Sequence, residues 1–197
     1  MQYPAISFPC EFESFKTLNK NQAQQLFDWY ISEIPQRVKL LEECFNDEWC
    51  HSIPFDYSID SLDLLWKAFT KYIKSYKKSR KDIMAENANL PRYVLDDMLN
   101  DNRHLANETE ILAFDIAMYF GETLSRNFPG ISWGFFTKPK NMASVNKAVL
   151  VGFMRNMYMD PTRIIMVGCS RFLDKPDYSY LEKIANVWKR YLPELPT

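Results

Sequence analysis

The sequence predicts an α+β domain, rich in helices, with a small antiparallel sheet of about three strands. Three observations predict it. Apolar residues recur at helical spacing through most of the chain as far as Glu122 and again near its end. Three short segments rich in β-branched and aromatic residues lie between Ile131 and Gly168. Only five glycines occur in 197 residues, too few for a barrel built from many tight turns. With 47% hydrophobic and 25% charged residues the chain has the composition of a packed core, which excludes a disordered or collagenous protein. Residues 1–197 are read as a single domain, since compact domains cluster near ~100–150 residues.

The elements follow in order. The segment to Thr17 carries Pro4, Pro9, Phe8, Phe12 and Phe15, and reads as an extended arm laid on the core. Asn19 with Gln22 three residues later has the spacing of a capping box, and Ala23, Leu26, Phe27, Tyr30, Ile31 and Ile34 continue at helical period. Pro35 lacks a backbone donor and crowds Ile31, so a kink or restart is expected before Val38, Leu41 and Phe45 resume the stripe. Turn formers fill residues 46–57. Ser58 or Asp60 then caps a second helix carrying Leu62, Leu65, Trp66, Phe69, Ile73 and Tyr76. Its other side is basic towards the end, with Lys71, Lys74, Lys77, Lys78, Arg80 and Lys81.

A short helix around residues 93–99 follows Pro91. Asn107 and Glu110 repeat the capping-box spacing and lead into a helix through Glu122 that is apolar nearly all round, the mark of a central element packed on more than one side. After Pro129 and Gly130 the period shortens, and strands are expected at residues 131–137, 148–153 and 163–168. A last helix over residues 178–192 buries Leu181, Ile184, Trp188 and Leu192.

Charge and targeting narrow the function classes. Lys and Arg number 24 against 25 Asp and Glu, so no whole-molecule field draws nucleic acid or an anionic membrane. No stretch approaches the ~18 apolar residues of a membrane span, and the N-terminus lacks a basic region followed by an apolar run. A cytoplasmic protein is the expectation. Four cysteines are too sparse for a disulfide scaffold of this length, which predicts reduced thiols.

Few constellations carry chemistry. Cys44, Cys50, His51 and His104 are of the types zinc prefers, but the spacing of Cys44 and Cys50 is not that of a zinc knuckle and Cys44 falls on an apolar stripe. No metal and no cofactor is therefore expected. A Cys50–His51 nucleophilic dyad is disfavoured because neighbours in sequence point apart. No serine elbow, Walker loop, dinucleotide fingerprint or zinc-protease motif appears. Asp115 and Glu122, seven residues apart on the apolar helix, are the one acidic pair that acid–base work or a cation site would use; the competing reading is structural, each bonded to a cation or backbone donor. Gly121 beside them suits close approach of a neighbouring backbone.

Phosphate binding with aromatic stacking would use the Lys71–Lys81 run, with Tyr72 and Tyr76 between its lysines; a solvated helix end has the same composition. Nucleic acid is the weaker of the two readings. Interaction anchors are sought in the irregular regions: Trp49 in residues 47–57, unless it folds back on the core, and Lys138, Lys140 and Lys147 in residues 138–147.

Residues 18–30 with the Ile34-Pro35-Gln36-Arg37 run, and residues 113–122 with Trp133, resemble an uncharacterised family of small intracellular Firmicutes proteins. The Tyr119, Gly121, Glu122 and Trp133 segment is also similar to immunity-like domains of polymorphic toxins. The resemblance carries no catalytic residues. It implies a bacterial cytoplasmic protein and makes toxin neutralisation a candidate; together with the missing catalytic motif, the near-neutral charge and the 15% aromatic content it leads to the expectation of a protein that works by binding another protein. The alternative is an enzyme or cation-binding protein using Asp115 and Glu122.

Overall fold

The computed structural model of the chain describes residues 3–88, 92–100 and 102–193. Its first helix, α1 (Lys20–Glu42), starts on the expected capping box: Gln22 N–H donates to Asn19 Oδ1 and Asn19 N–H to Gln22 Oε1, each at 3.0 Å. Pro35 lies inside α1, which continues unbroken into a π-helical turn at Glu43–Glu48. The expected restart does not occur. Pro35 is on the exposed side, where water can meet the carbonyl it frees, while Ile34, Val38 and Leu41 hold the other face in the core.

The second helix, α2 (Ile59–Phe69), is capped by Ser58, whose hydroxyl accepts from Ser61 N–H at 3.1 Å. It stops short of Ile73 and Tyr76, against the expectation that both ride on it. After a 3₁₀ turn at Thr70–Tyr72, Lys74 N–H donates to Thr109 Oγ1 at 2.8 Å and its carbonyl accepts from Ala106 N–H at 2.9 Å. These bonds pull the chain into an extended course. Strand β1 (Ser75–Lys77) pairs antiparallel with β2 (Arg103–Leu105), placing Tyr76 opposite His104. Helices α3 (Arg80–Glu86) and α4 (Arg92–Asn100) lie between the two strands in sequence, and Pro91 falls outside the described residues. The basic run therefore spans a turn, a strand and the start of α3, not one helix side.

The central element is α5 (Asn107–Asn127), packed on α1, α2 and α6 as its all-round apolarity predicts. The capping box proposed for Asn107 and Glu110 does not form. Asn107 is already the first helical residue, and the cap position belongs to Ala106, which has no side-chain oxygen.

Strands β3 (Ser132–Gly134) and β4 (Val149–Val151) pair antiparallel with Trp133 opposite Leu150. The third expected strand is a helix. Residues 163–168 lie within α6 (Pro161–Asp174), where Asp160 caps Arg163 N–H at 2.9 Å and Pro161 takes the first turn. Ile165, Gly168 and Cys169 recur at helical spacing on its buried face, and that burial overrides the β-propensity of Ile164, Ile165 and Val167. Among the described residues the strands thus form two separate two-stranded sheets, and the fold is helix-rich α+β. The last helix, α7 (Tyr180–Lys189), packs on α2 with Leu181 fully buried. Among the described residues no helix is long and apolar enough to cross a membrane.

Candidate functional site

The two carboxylates of α5 do not form one site. Seven residues return almost to the same face but advance about 10.5 Å along the axis, and each carboxylate meets its own partners. Asp115 is fully buried and takes Arg37 from α1 as a fork, with Nη2 at 2.6 Å from Oδ2 and Nε at 2.9 Å from Oδ1. The Tyr3 hydroxyl also donates to Asp115, and Arg37 Nη2 reaches the Pro4 carbonyl at 2.8 Å. Burial pushes the Asp115 carboxyl up, and the hydrogen bonds from Arg37 and Tyr3 oppose it. Burial is also the largest single influence on Arg37 and disfavours its charge, but the bond to Asp115 and the attraction of Asp115, Tyr3 and Glu33 together outweigh it and hold the guanidinium above its ordinary value.

Glu122 accepts from Arg126 Nε at 2.7 Å and from Trp133 Nε1 at 3.1 Å. Between them Gly121 admits a side chain, not the backbone expected: a Cβ there would lie 2.3 Å from Trp133 Cη2. Asp115 thus joins α1 and α5 to the N-terminal arm, and Glu122 joins α5 to Trp133.

The thiols and histidines are also dispersed. Cys44 and Cys169 are buried, and burial pushes their thiols up to about 11 and about 12. Cys10 and Cys50 are exposed. His51 Nε2 lies 3.0 Å from the Tyr72 hydroxyl, and partial burial together with Lys71 lowers the pKa of its ring. His104 packs beside Tyr76 across the β1–β2 pair. Among the described residues no three His, Cys, Asp or Glu side chains converge where they would hold a metal ion.

The loop anchors turn inward. Trp49 stacks on Tyr72 at 3.7 Å between ring centroids and meets Phe45 edge-on at 4.9 Å, so it is folded back on the core. Lys140 donates to the Leu18 carbonyl at 2.8 Å, and Lys147 sits 5.4 Å over the Phe15 ring. Asn146 Nδ2 adds bonds to the carbonyls of Phe15 at 2.6 Å and Leu18 at 3.2 Å. Lys138 remains exposed beside the cis peptide bond to Pro139. Residues 138–147 therefore clamp the arm.

Two features remain, of which only the second has a signal in the sequence. One is a cavity roofed by the arm and walled by the rings of Phe8, Phe15, Phe27, Trp29, Tyr30 and Phe114. The other is a basic segment, residues 71–81. Lys71, Lys74, Lys77, Arg80 and Lys81 are all exposed and, among the described residues, make no ion pair. Tyr76 stands among them at 49% exposure, and Met84 follows on α3 at 52%.

No protein-family model, curated protein or solved structure matches the chain. Its chemistry is therefore read from its own side chains. The basic residues were visible as a run in sequence; that Tyr76 and Met84 stand exposed with them depended on α2 ending at Phe69.

Proposed function

We propose that the protein is a non-catalytic binding protein of a bacterial cytoplasm, and that it docks an acidic protein partner, such as a toxin it neutralises, on the segment formed by β1 and α3. The observation that carries this reading is that Lys71, Lys74, Lys77, Arg80 and Lys81, on the segment that holds the exposed Tyr76, are exposed and, among the described residues, make no ion pair. Tyr, Met and Arg are the residue types enriched at interface centres, where a few large desolvated side chains supply most of the binding energy. Cations around such an anchor steer an acidic partner and reject a basic one. Against a chain of net charge −1, this segment is a local concentration of positive charge. The ion pairs of Asp115 with Arg37 and of Glu122 with Arg126 favour this reading over an enzyme or cation-binding protein using the two carboxylates.

The test is co-expression with any toxin encoded beside the gene, reading growth and complex formation. Wild type protects and co-purifies with the toxin. Tyr76→Ala combined with Lys74→Glu and Lys77→Glu, all exposed positions, folds normally and loses both. A folded wild type that neither protects nor binds overturns the reading.

A further inference from the structure

The pairing of β1 with β2 leaves the other edge of β1 without a partner strand. The Lys74 carbonyl accepts from Ala106 N–H and Lys78 N–H donates to the Asn102 carbonyl, each at 2.9 Å, and between them the register sets Tyr76 opposite His104. Residues of an antiparallel pair alternate between exchanging both backbone bonds and exchanging none. Lys74, Tyr76 and Lys78 are therefore the positions bonded toward β2, and Ser75 and Lys77 turn their N–H and C=O groups the other way. Among the described residues these four groups have no hydrogen-bond partner. Ser75, Tyr76 and Lys77 are all exposed.

Such an edge is a template for a further strand, and its side chains select which strand. Lys74 and Tyr76 share one side of the extended chain, Ser75 and Lys77 the other. Toward an added strand Ser75 and Lys77 take the bonded positions and Tyr76 the non-bonded one, where facing side chains come closest. Tyr76, 49% exposed with its ring 5.9 Å from that of His104, offers apolar surface at that point. Lys74 and Lys77 flank it, and neither makes an ion pair among the described residues. Neither β1 nor β2 contains an acid.

A second copy of the chain does not fit this edge. It would bring these lysines alongside their own kind, and like charges across paired strands are destabilising; lysine guards exposed edges in this way. An acidic strand reverses the sign of the same interaction. We propose that the acidic partner docks by strand addition: an extended segment of it pairs antiparallel with the free edge of β1, its backbone bonding Ser75 and Lys77, its carboxylates facing Lys74 and Lys77 and an apolar residue covering Tyr76. This rests on the docking reading above and adds the backbone of β1 to what the partner recognises.

An NMR titration with the acetylated, amidated peptide Thr-Glu-Val-Thr-Glu-Thr tests it. In the antiparallel register its Glu, Val, Thr and Glu face Lys77, Tyr76, Ser75 and Lys74. The controls are the same peptide N-methylated at the first Glu and the Thr after Val, which deletes the two donors aimed at β1, and a version with Lys in place of both Glu. The expected result is saturable binding of the acidic peptide with amide exchange slowed several-fold at Ser75 and Lys77, at least ten-fold weaker binding of the N-methylated peptide, and none of the basic one. Ser75→Pro removes an outward donor and no bond to β2, so the variant keeps the wild-type fold and binds the acidic peptide at least ten-fold more weakly. An N-methylated peptide that binds as tightly, or saturation without slowed exchange at Ser75 and Lys77, overturns strand addition while leaving an acidic partner held by side chains alone. The absence of saturable binding by the acidic peptide overturns it as well. The docking reading fails on a different result: protection and complex formation that survive Tyr76→Ala combined with Lys74→Glu and Lys77→Glu.

Discussion

Arg37 of α1 and Asp115 of α5 meet in a fork with Nη2 2.6 Å from Oδ2, side chains 5% and 0% exposed, and Tyr3 of the arm closes the same carboxylate. Removing one member of such a pair leaves a buried charge uncompensated, which costs about 3–5 kcal/mol. Asp115→Asn should therefore lose that much in urea unfolding, a large share of the ~5–15 kcal/mol that holds a domain together. Replacing both partners by apolar residues, Arg37→Met with Asp115→Leu, should recover most of the loss. Tyr3→Phe, which removes one bond to a charged acceptor, should cost about 1.5–3 kcal/mol. Equal losses in Asp115→Asn and the double variant would show that packing, not charge, fixes this junction.

The four thiols should separate by burial. In native protein Ellman's reagent should react promptly with Cys10 and Cys50 and reach Cys44 and Cys169 only on unfolding, giving two fast equivalents of four. Burial raises the folded pKa of Cys44 to about 11 and of Cys169 to about 12 from an ordinary 9.0. The folded state then holds protons that the unfolded state releases, so stability falls as pH rises past about 9 and continues to fall through the folded values. Cys169→Ala should flatten that alkaline decline. A decline unchanged in the variant would assign it to other groups.

How much of this was legible in sequence depended on range. The Asn19–Gln22 capping box and the Ser58 cap are local, made within three residues, and appear as expected. The β-branched Ile164, Ile165 and Val167 predict a strand where α6 forms, although Asp160-Pro161 is a helix-start signal. Asp115 and Glu122 share a helix face, which periodicity shows, but the partners that separate them, Arg37 and Trp133, come from other elements. The clamp of residues 138–147 on the arm joins positions more than 120 apart, as in Lys140 to Leu18, and no local pattern encodes it. Unsatisfied atoms such as Asn146 Oδ1 exist only in three dimensions.

Gly121 gives a sharp steric test. A Cβ at this position would lie 2.3 Å from Trp133 Cη2 and 3.2 Å from the Pro161 ring. Overpacking of this kind typically costs ~1–3 kcal/mol. Gly121→Ala should therefore unfold at lower denaturant, with a changed emission spectrum as Trp133 is pushed from Glu122. If the variant were as stable as wild type with unchanged emission, the ring would have room that its packing denies.

The basic segment offers the last test, because a nucleic acid and an acidic protein obey different salt laws. Five cations that each neutralise one phosphate give a log K that falls with log salt at a slope of about −4 to −5, a loss of several hundred-fold between 50 and 200 mM. A duplex should therefore bind the wild-type segment only at low salt and without sequence preference, and Lys74→Glu with Lys77→Glu should abolish even that. Docking anchored by Tyr76 buries apolar area that salt does not screen. A protein partner should thus lose association rate as salt rises while its dissociation rate barely changes. Tyr76→Ala should do the converse, speeding dissociation with little effect on association. Duplex binding that survives physiological salt with a sequence preference would move the segment from protein recognition to nucleic-acid recognition.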